Sequence, residues 1–156
     1  TWIRGNGIHR EGRMNMISFT CDFRAISKGR PRFSKGRTFT PQKTVAFEKA
    51  VGFACNAAMG GKPMATPCRM EVYALFQPPK SWPKWKQAAA MGKPFVCASD
   101  ADNMIKAIAD GLNGIAYDDD KQLAHVAMER FYGERDSFRV TIMELDAVPA
   151  TKAEAA

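Results

Sequence analysis

Between residues 17 and 25, apolar and polar side chains alternate without exception: Ile17, Phe19, Cys21, Phe23 and Ala25 on one side, Ser18, Thr20, Asp22 and Arg24 on the other. A period of two predicts a half-buried strand. Residues 28–37 abandon the pattern. Two glycines and a proline break any helix there and five of the ten residues are Lys or Arg, which predicts an exposed loop or irregular hairpin. Thr40-Pro41 then offers an N-cap followed by a proline at the first helical position, and Val45, Ala46, Ala50, Phe53 and Ala54 form an apolar stripe before Gly60-Gly61, predicting a helix over about 41–59. Residues 70–76 read as a second strand, and Ser81-Trp82-Pro83 starts a short helix that ends near Gly92. A third helix opens around Asp102: Ile105, Ile108, Leu112 and Ile115 recur at spacings of three and four, and Gly114 stands where a C-terminal cap belongs. Residues 122–131 and 137–145 alternate again, as a terminal strand pair around Gly133, and residues 146–156 lack any apolar period and should fray.

These elements fill 156 residues without a repeat or a long linker, so one domain is expected. Its 46% apolar and 25% charged residues exclude collagen-like, disordered and disulfide-scaffold classes. No segment approaches the roughly 18 uninterrupted apolar residues of a membrane span, and the basic N-terminus is followed by no apolar stretch of the signal-peptide kind. Cys21, Cys55, Cys68 and Cys97 form no CxxC pair and have two histidines to help them, which favours reduced, buried thiols in a cytoplasm-like compartment over structural zinc. Charge is unevenly divided. Residues 1–99 carry 17 Lys and Arg against 4 Asp and Glu, residues 100–156 carry 6 against 12, and the whole chain has a net charge of +7. A basic body with an acidic segment suits a protein that binds a polyanion and gathers carboxylates at one place; an inert dipolar surface fits the charges equally well.

Six aspartates crowd residues 100–120: Asp100, Asp102, Asp110, Asp118, Asp119 and Asp120. Two like charges about 4 Å apart repel by roughly 1 kcal/mol even in water. A hard cation such as Mg²⁺ or Mn²⁺, which prefers oxygen ligands and leaves positions for water and phosphate, would remove that cost. Asp100 and Asp102, two apart in an extended segment before the helix, should point to the same side. Asp102, Lys106, Asp110 and Asn113 continue as a polar stripe along the helix, so Lys106 either serves phosphate or forms an ordinary ion pair one turn away. The 118–120 triplet reaches the helix only if the chain turns back at Gly114, and by spacing alone is as much a solvated acidic turn as part of a site. EF-hand and Walker patterns fail, with Leu123 where an EF-hand starting at Asp118 needs glycine and Pro63 after Gly61-Lys62.

The stretch from Asp100 to Gln122, which fits DxDNxxKAxxDxLNGxxxxDDxQ, closely resembles the RusA family of Holliday junction resolvases, small endodeoxyribonucleases of phages and prophages. Weaker likeness extends to residues 29–33 and to Tyr132-Gly133. The resemblance implies an α+β fold in a single domain over residues 14–145, a small, mixed, largely antiparallel sheet packed with helices. It also implies Mg²⁺-dependent hydrolysis of four-way DNA junctions by a homodimer; Mn²⁺ is a further expected metal by ligand chemistry, and the setting expected is the cytoplasm of a bacterial host, with no membrane partner. Catalytic roles fall by resemblance on Asp100, Asp102, Asp120 and Lys106, with Asp119 as an adjacent metal ligand; Gln122 fixes that register and leaves Asp118 an extra carboxylate. Arg30, Arg32, Lys35 and Arg37 in the basic loop, with Lys84 and Lys86 near Trp82 and Trp85, are expected to grip the DNA backbone. The rival expectation is a catalytically silent DNA-binding protein with a structural cation site. Residues 1–13, upstream of Met14 and Met16, are expected to be a non-native or disordered extension, and 146–156 a disordered tail.

Overall fold

A computed structural model describes residues 7–11 and 14–156, with side chains from Asn15 onward. Among these residues five strands form one mixed sheet: β1 (Gly7–Glu11), β2 (Met14–Cys21), β5 (Cys68–Phe76), β6 (Leu123–Tyr132) and β7 (Ser137–Glu144), in the order β1-β2-β7-β5-β6. β3 (Arg32–Ser34) and β4 (Arg37–Phe39) form a separate hairpin, and the helices are α1 (Gln42–Ala58), α2 (Lys84–Ala90) and α3 (Ala101–Gly111). The expected α+β fold with a mixed, largely antiparallel sheet is the one observed. Part of the anticipated extension, residues 1–6 and 12–13, lies outside the described residues; Gly7–Glu11 pairs antiparallel with β2. Residues 146–156 contain no helix or strand and are exposed.

Alternation in β5 is complete: Cys68, Met70, Val72, Ala74 and Phe76 are all fully buried, each separated by a half-buried residue. Ile17 and Phe19 of β2 and Phe138, Val140 and Ile142 of β7 join them, and Phe47, Val51 and Cys55 of α1 with Met104, Ala107 and Ile108 of α3 complete the core. The side of β2 predicted to be polar is buried at Ser18, which meets Thr141 across the strands at 3.3 Å, so the two hydroxyls satisfy each other.

Three expectations need correction. The terminal strands do not pair, because β5 lies between them, parallel to β6 and antiparallel to β7. The connection 133–136 crosses one strand: two spacings of about 4.8 Å are within reach of four residues at roughly 3.3 Å each. Gly133 N donates to Phe76 O at 2.9 Å under that crossing. Secondly, α1 and α2 start one residue after their prolines, since Pro41 and Pro83 keep ψ near 140–150° and act as caps rather than first helical residues. Thirdly, α3 ends at Gly111 with Leu112 as its cap, and Gly114 (φ +76°) serves the turn that follows.

α1 and α3 touch backbone to backbone. A Cβ on Gly52 would stand 2.9 Å from Gly111 O, and one on Gly111 2.9 Å from Glu48 O. Two glycines at the crossing thus bring Glu48 beside Asp110.

Candidate active site

α3 begins where the acidic motif begins. Asp100 is its N-cap, still extended at φ −72° and ψ 141°, while Asp102 already lies in the first helical turn. The expectation of two carboxylates side by side on an extended segment is therefore corrected: the spacing of two straddles the change from extended to helical backbone. The Asp100 side chain makes no capping hydrogen bond, and Asp102 is exposed. Both stand at the end of the helix where aligned peptide dipoles favour negative charge. Arg130 of β6 donates from Nη1 to Ser99 O at 2.8 Å and fixes the residue before Asp100.

Farther along α3, Lys106 Nζ lies 3.1 Å from Asp110 Oδ1, one turn on, and 2.7 Å from Asp120 Oδ2. The second contact exists because the chain turns back: Gly114 N donates to Tyr117 O at 2.8 Å, and the buried Tyr117 hydroxyl donates to Ala109 O at 2.7 Å. The ordinary helical ion pair and the link to the acidic triplet are thus both present. Asp120 and then Asp110, by their hydrogen bonds, hold the Lys106 ammonium above its usual range, so it stays charged. Asp110 also receives Lys28 Nζ, which lies 3.8 Å from Glu48 Oε1. Burial pushes the Glu48 carboxyl up, with Lys28 opposing. Charges alternate in sign along the resulting row, Glu48, Lys28, Asp110, Lys106, Asp120.

Asp119 is differently employed. It caps a single 3-10 turn (Asp120–Gln122): its Oδ1 accepts from Lys121 N at 2.9 Å, and its own N–H donates to Gln122 Oε1 at 2.9 Å. The Lys121 N–H lowers its carboxyl below the usual range. Gln122 Nε2 donates to Met64 O and Thr66 O at 2.8 and 2.9 Å, which anchors the turn on the segment that leads into β5. Asp118 is exposed. Among the described residues no three His, Cys, Asp or Glu side chains are close enough to form a ready metal centre. The oxygen-only donors Asp100, Asp102 and Asp120 suit a hard cation, but the positive charge on Asp120 is here supplied by Lys106.

The basic loop is a hairpin whose tip, Lys35 at φ 50° and Gly36 at φ 75°, forms a tight two-residue turn. Arg30, Arg32, Lys35 and Arg37 are exposed and make no ion pair among the described residues. Its base is tied to the acidic helix, since Lys28 N donates to Asn103 O at 3.2 Å, and to α1, since Gly29 N donates to Thr44 Oγ1 at 3.0 Å. A groove of about 700 Å³ runs from Arg30, Arg32 and Lys43 to Ser99, next to Asp100. Lys84 and Lys86 lie on α2, with Lys86 Nζ 4.1 Å from the centre of the Trp82 ring and Trp85 largely exposed. A second hollow, lined by Trp82, shares Arg24 and Cys97 with the groove.

Sequence reasoning missed Lys28 as an ion-pair partner, Glu48 and Arg130. Nothing local marks them, because Lys28 and Asp110 are 82 residues apart and Arg130 and Ser99 are 31 apart. The capping role of Asp119 was legible in its Asp-x-x-Gln spacing.

The family model for endodeoxyribonuclease RusA matches residues 22–143, from the end of β2 to β7, and spans every residue of this site. A Bacillus subtilis (strain 168) protein described as "Uncharacterized protein YqaN" is 30% identical over 143 residues, which cover 86% of this chain and all of that protein.

Proposed function

The chain belongs to the RusA family of endodeoxyribonucleases, and from that premise we propose that it hydrolyses phosphodiesters at four-way DNA junctions, dependent on Mg²⁺ and acting as a homodimer. The observation that carries the reading is the hydrogen bond from Lys28 N to Asn103 O: it joins a hairpin whose cations make no ion pair among the described residues to the first turn of the helix that follows Asp100 and bears Asp102. A polyanion gripped by that hairpin passes beside the carboxylates.

In this reading Asp100, Asp102 and Asp120 would hold the cation. A hard divalent ion supplies a more acidic bound water and neutralises charge that develops on the phosphate. Lys106, paired with Asp120 at 2.7 Å, would be the cation that meets a phosphate oxygen were that carboxylate shared with a metal ion. Lys28 keeps Asp110 compensated meanwhile. Arg130 holds the approach to Asp100, and Asp119 keeps its neighbour Asp120 in place by capping the turn. Arg30, Arg32, Lys35 and Arg37 grip the backbone and set register, and Lys84 and Lys86 extend that contact. Among the described residues no helix is long and apolar enough to cross a membrane, and four free thiols support work in a reducing cytoplasm. A homodimer is supported by the substrate: resolution needs two strands cut, and this chain carries one DxDN motif.

A second reading, DNA binding without cleavage, is favoured by the carboxylates' not converging in this state. The two separate with Asp102→Asn and Asp120→Asn, which keep shape and remove the charge a hard cation needs. Both variants should lose nicking of a labelled junction and bind it as well as wild type or better. Nicking at the wild-type rate in either would overturn the assignment.

A further inference from the structure

The hairpin carries more than charge. Phe33 is 76% exposed and Phe39 47%, and every residue of 31–40 is exposed. A ribbon with three residues in each strand cannot be held by its own apolar packing, and leaving two phenylalanines in water serves no folding purpose there. Register places them on opposite faces. Arg32 stands across from Phe39 and Ser34 from Arg37, so Phe39 shares one face with both arginines, whereas Phe33 lies with Thr38 on the other. The ribbon therefore presents one aromatic ring on each side, with Arg32 and Arg37 beside Phe39 and Lys35 at the tip, cations with no ion-pair partner among the described residues.

Aromatic rings among free cations match single-stranded or unstacked nucleic acid, whose bases stack on the rings while phosphates take the charges. A continuous duplex offers no base faces to two rings on opposite sides of a ribbon. The branch point does, because the end base pairs of separated arms are uncovered on both sides of an inserted wedge. The base of the hairpin is fixed to α1 and α3 by Gly29 N to Thr44 Oγ1 at 3.0 Å and Lys28 N to Asn103 O at 3.2 Å. A Cβ at Gly29 would stand 2.8 Å from Pro41 Cγ, which leaves the hairpin little room to lean toward α1. Seating the ribbon thus sets where the backbone lies relative to the acidic helix.

We propose that the β3–β4 hairpin is an aromatic wedge: Phe33 and Phe39, on its two faces, stack on the unpaired or end bases of branched DNA and give the protein its preference for branches over duplex. This rests on the proposed function and specifies which residues read the branch. The test uses full-length Phe33→Ala, Phe39→Ala and the double variant, with a four-way junction bearing 2-aminopurine at the branch point and a linear duplex of the same arm sequence. Binding is measured without divalent metal over a range of salt. Each lost ring should weaken junction binding by about tenfold, leave duplex binding and the slope of log affinity against log salt unchanged, and abolish part of the 2-aminopurine signal. Phe33→Trp should restore both. Equal junction affinity in the double variant and wild type overturns the wedge, as does an equal loss on junction and duplex. A changed thermal midpoint is not expected, since both rings are exposed, and Phe33→Trp rescue separates stacking from misfolding in any case. If wild type itself shows no preference for the junction, the proposed function fails and the wedge with it; if wild type prefers the junction and the variants do so equally, the wedge alone fails.

Discussion

Lys106 faces two carboxylates, and what decides between them lies one residue farther off. Lys28 neutralises Asp110, which leaves Lys106 free to serve Asp120 at 2.7 Å. In Lys28→Met, Asp110 should draw Lys106 to itself and slow nicking about tenfold with little change in KM, because Lys28 itself reaches no substrate. Asp110→Asn should not slow nicking, since no competitor for Lys106 remains, and added to Lys28→Met it should restore most of the lost rate, so the two are far from additive, because both report on one network. Each single change should cost about 1 kcal/mol of stability, as expected of partly exposed ion pairs. A double-mutant cycle in nicking kinetics and urea unfolding measures both. Fully additive kinetic effects would show that Lys28 and Asp110 act apart. The sequence displays Lys106, Asp110 and Asp120 as a stripe and a triplet; it hides Lys28 and Glu48, whose relation to Asp110 exists only after α1 and α3 have packed.

At the scale of elements, β5 and α3 were legible because each repeats its own period several times; α1 was legible from its proline start and glycine stop, whereas its buried face is Thr44, Phe47, Val51 and Cys55, and Phe53 of the expected stripe is 80% exposed. The order of the last strands was not. Hydrophobic alternation specifies that β6 and β7 are strands, and only pairing with β5 puts that strand between them. The two helices that place Glu48 beside Asp110 cross through glycine. Gly111→Ala would put a Cβ 2.9 Å from Glu48 O, and pushing the helices apart should cost about 1–3 kcal/mol, read as a lower urea midpoint. Gly61→Ala is the control: nothing lies within 4 Å of a Cβ there, and its midpoint should hold or rise slightly. Equal midpoints in the two variants would show that the crossing has room to spare.

For the whole molecule, core burial and charge separation have separate consequences. Burial raises the thiols of Cys21 and Cys55 to about 12 and that of Cys68 to about 11, from 9.0. With folded values above unfolded ones, the stabilisation is fully present below pH 9 and is lost as pH rises toward 11–12, because the unfolded chain gives up those protons first. Thermal unfolding should therefore be level to about pH 9 and fall beyond it, more gently in Cys55→Val; a midpoint constant to pH 11 would contradict this. The proposed homodimer predicts that subunits of wild type mixed with Asp120→Asn nick one strand of a junction and fail at the second. The central claim, metal-dependent cleavage at a branch, is tested most directly by incubating the protein with a labelled four-way junction and with a linear duplex of the same arm, with and without Mg²⁺. The account predicts paired nicks near the branch point of the junction only with Mg²⁺ present and none in the duplex; tight junction binding with no nick at any Mg²⁺ concentration, or cleavage that persists in a chelator, would contradict it.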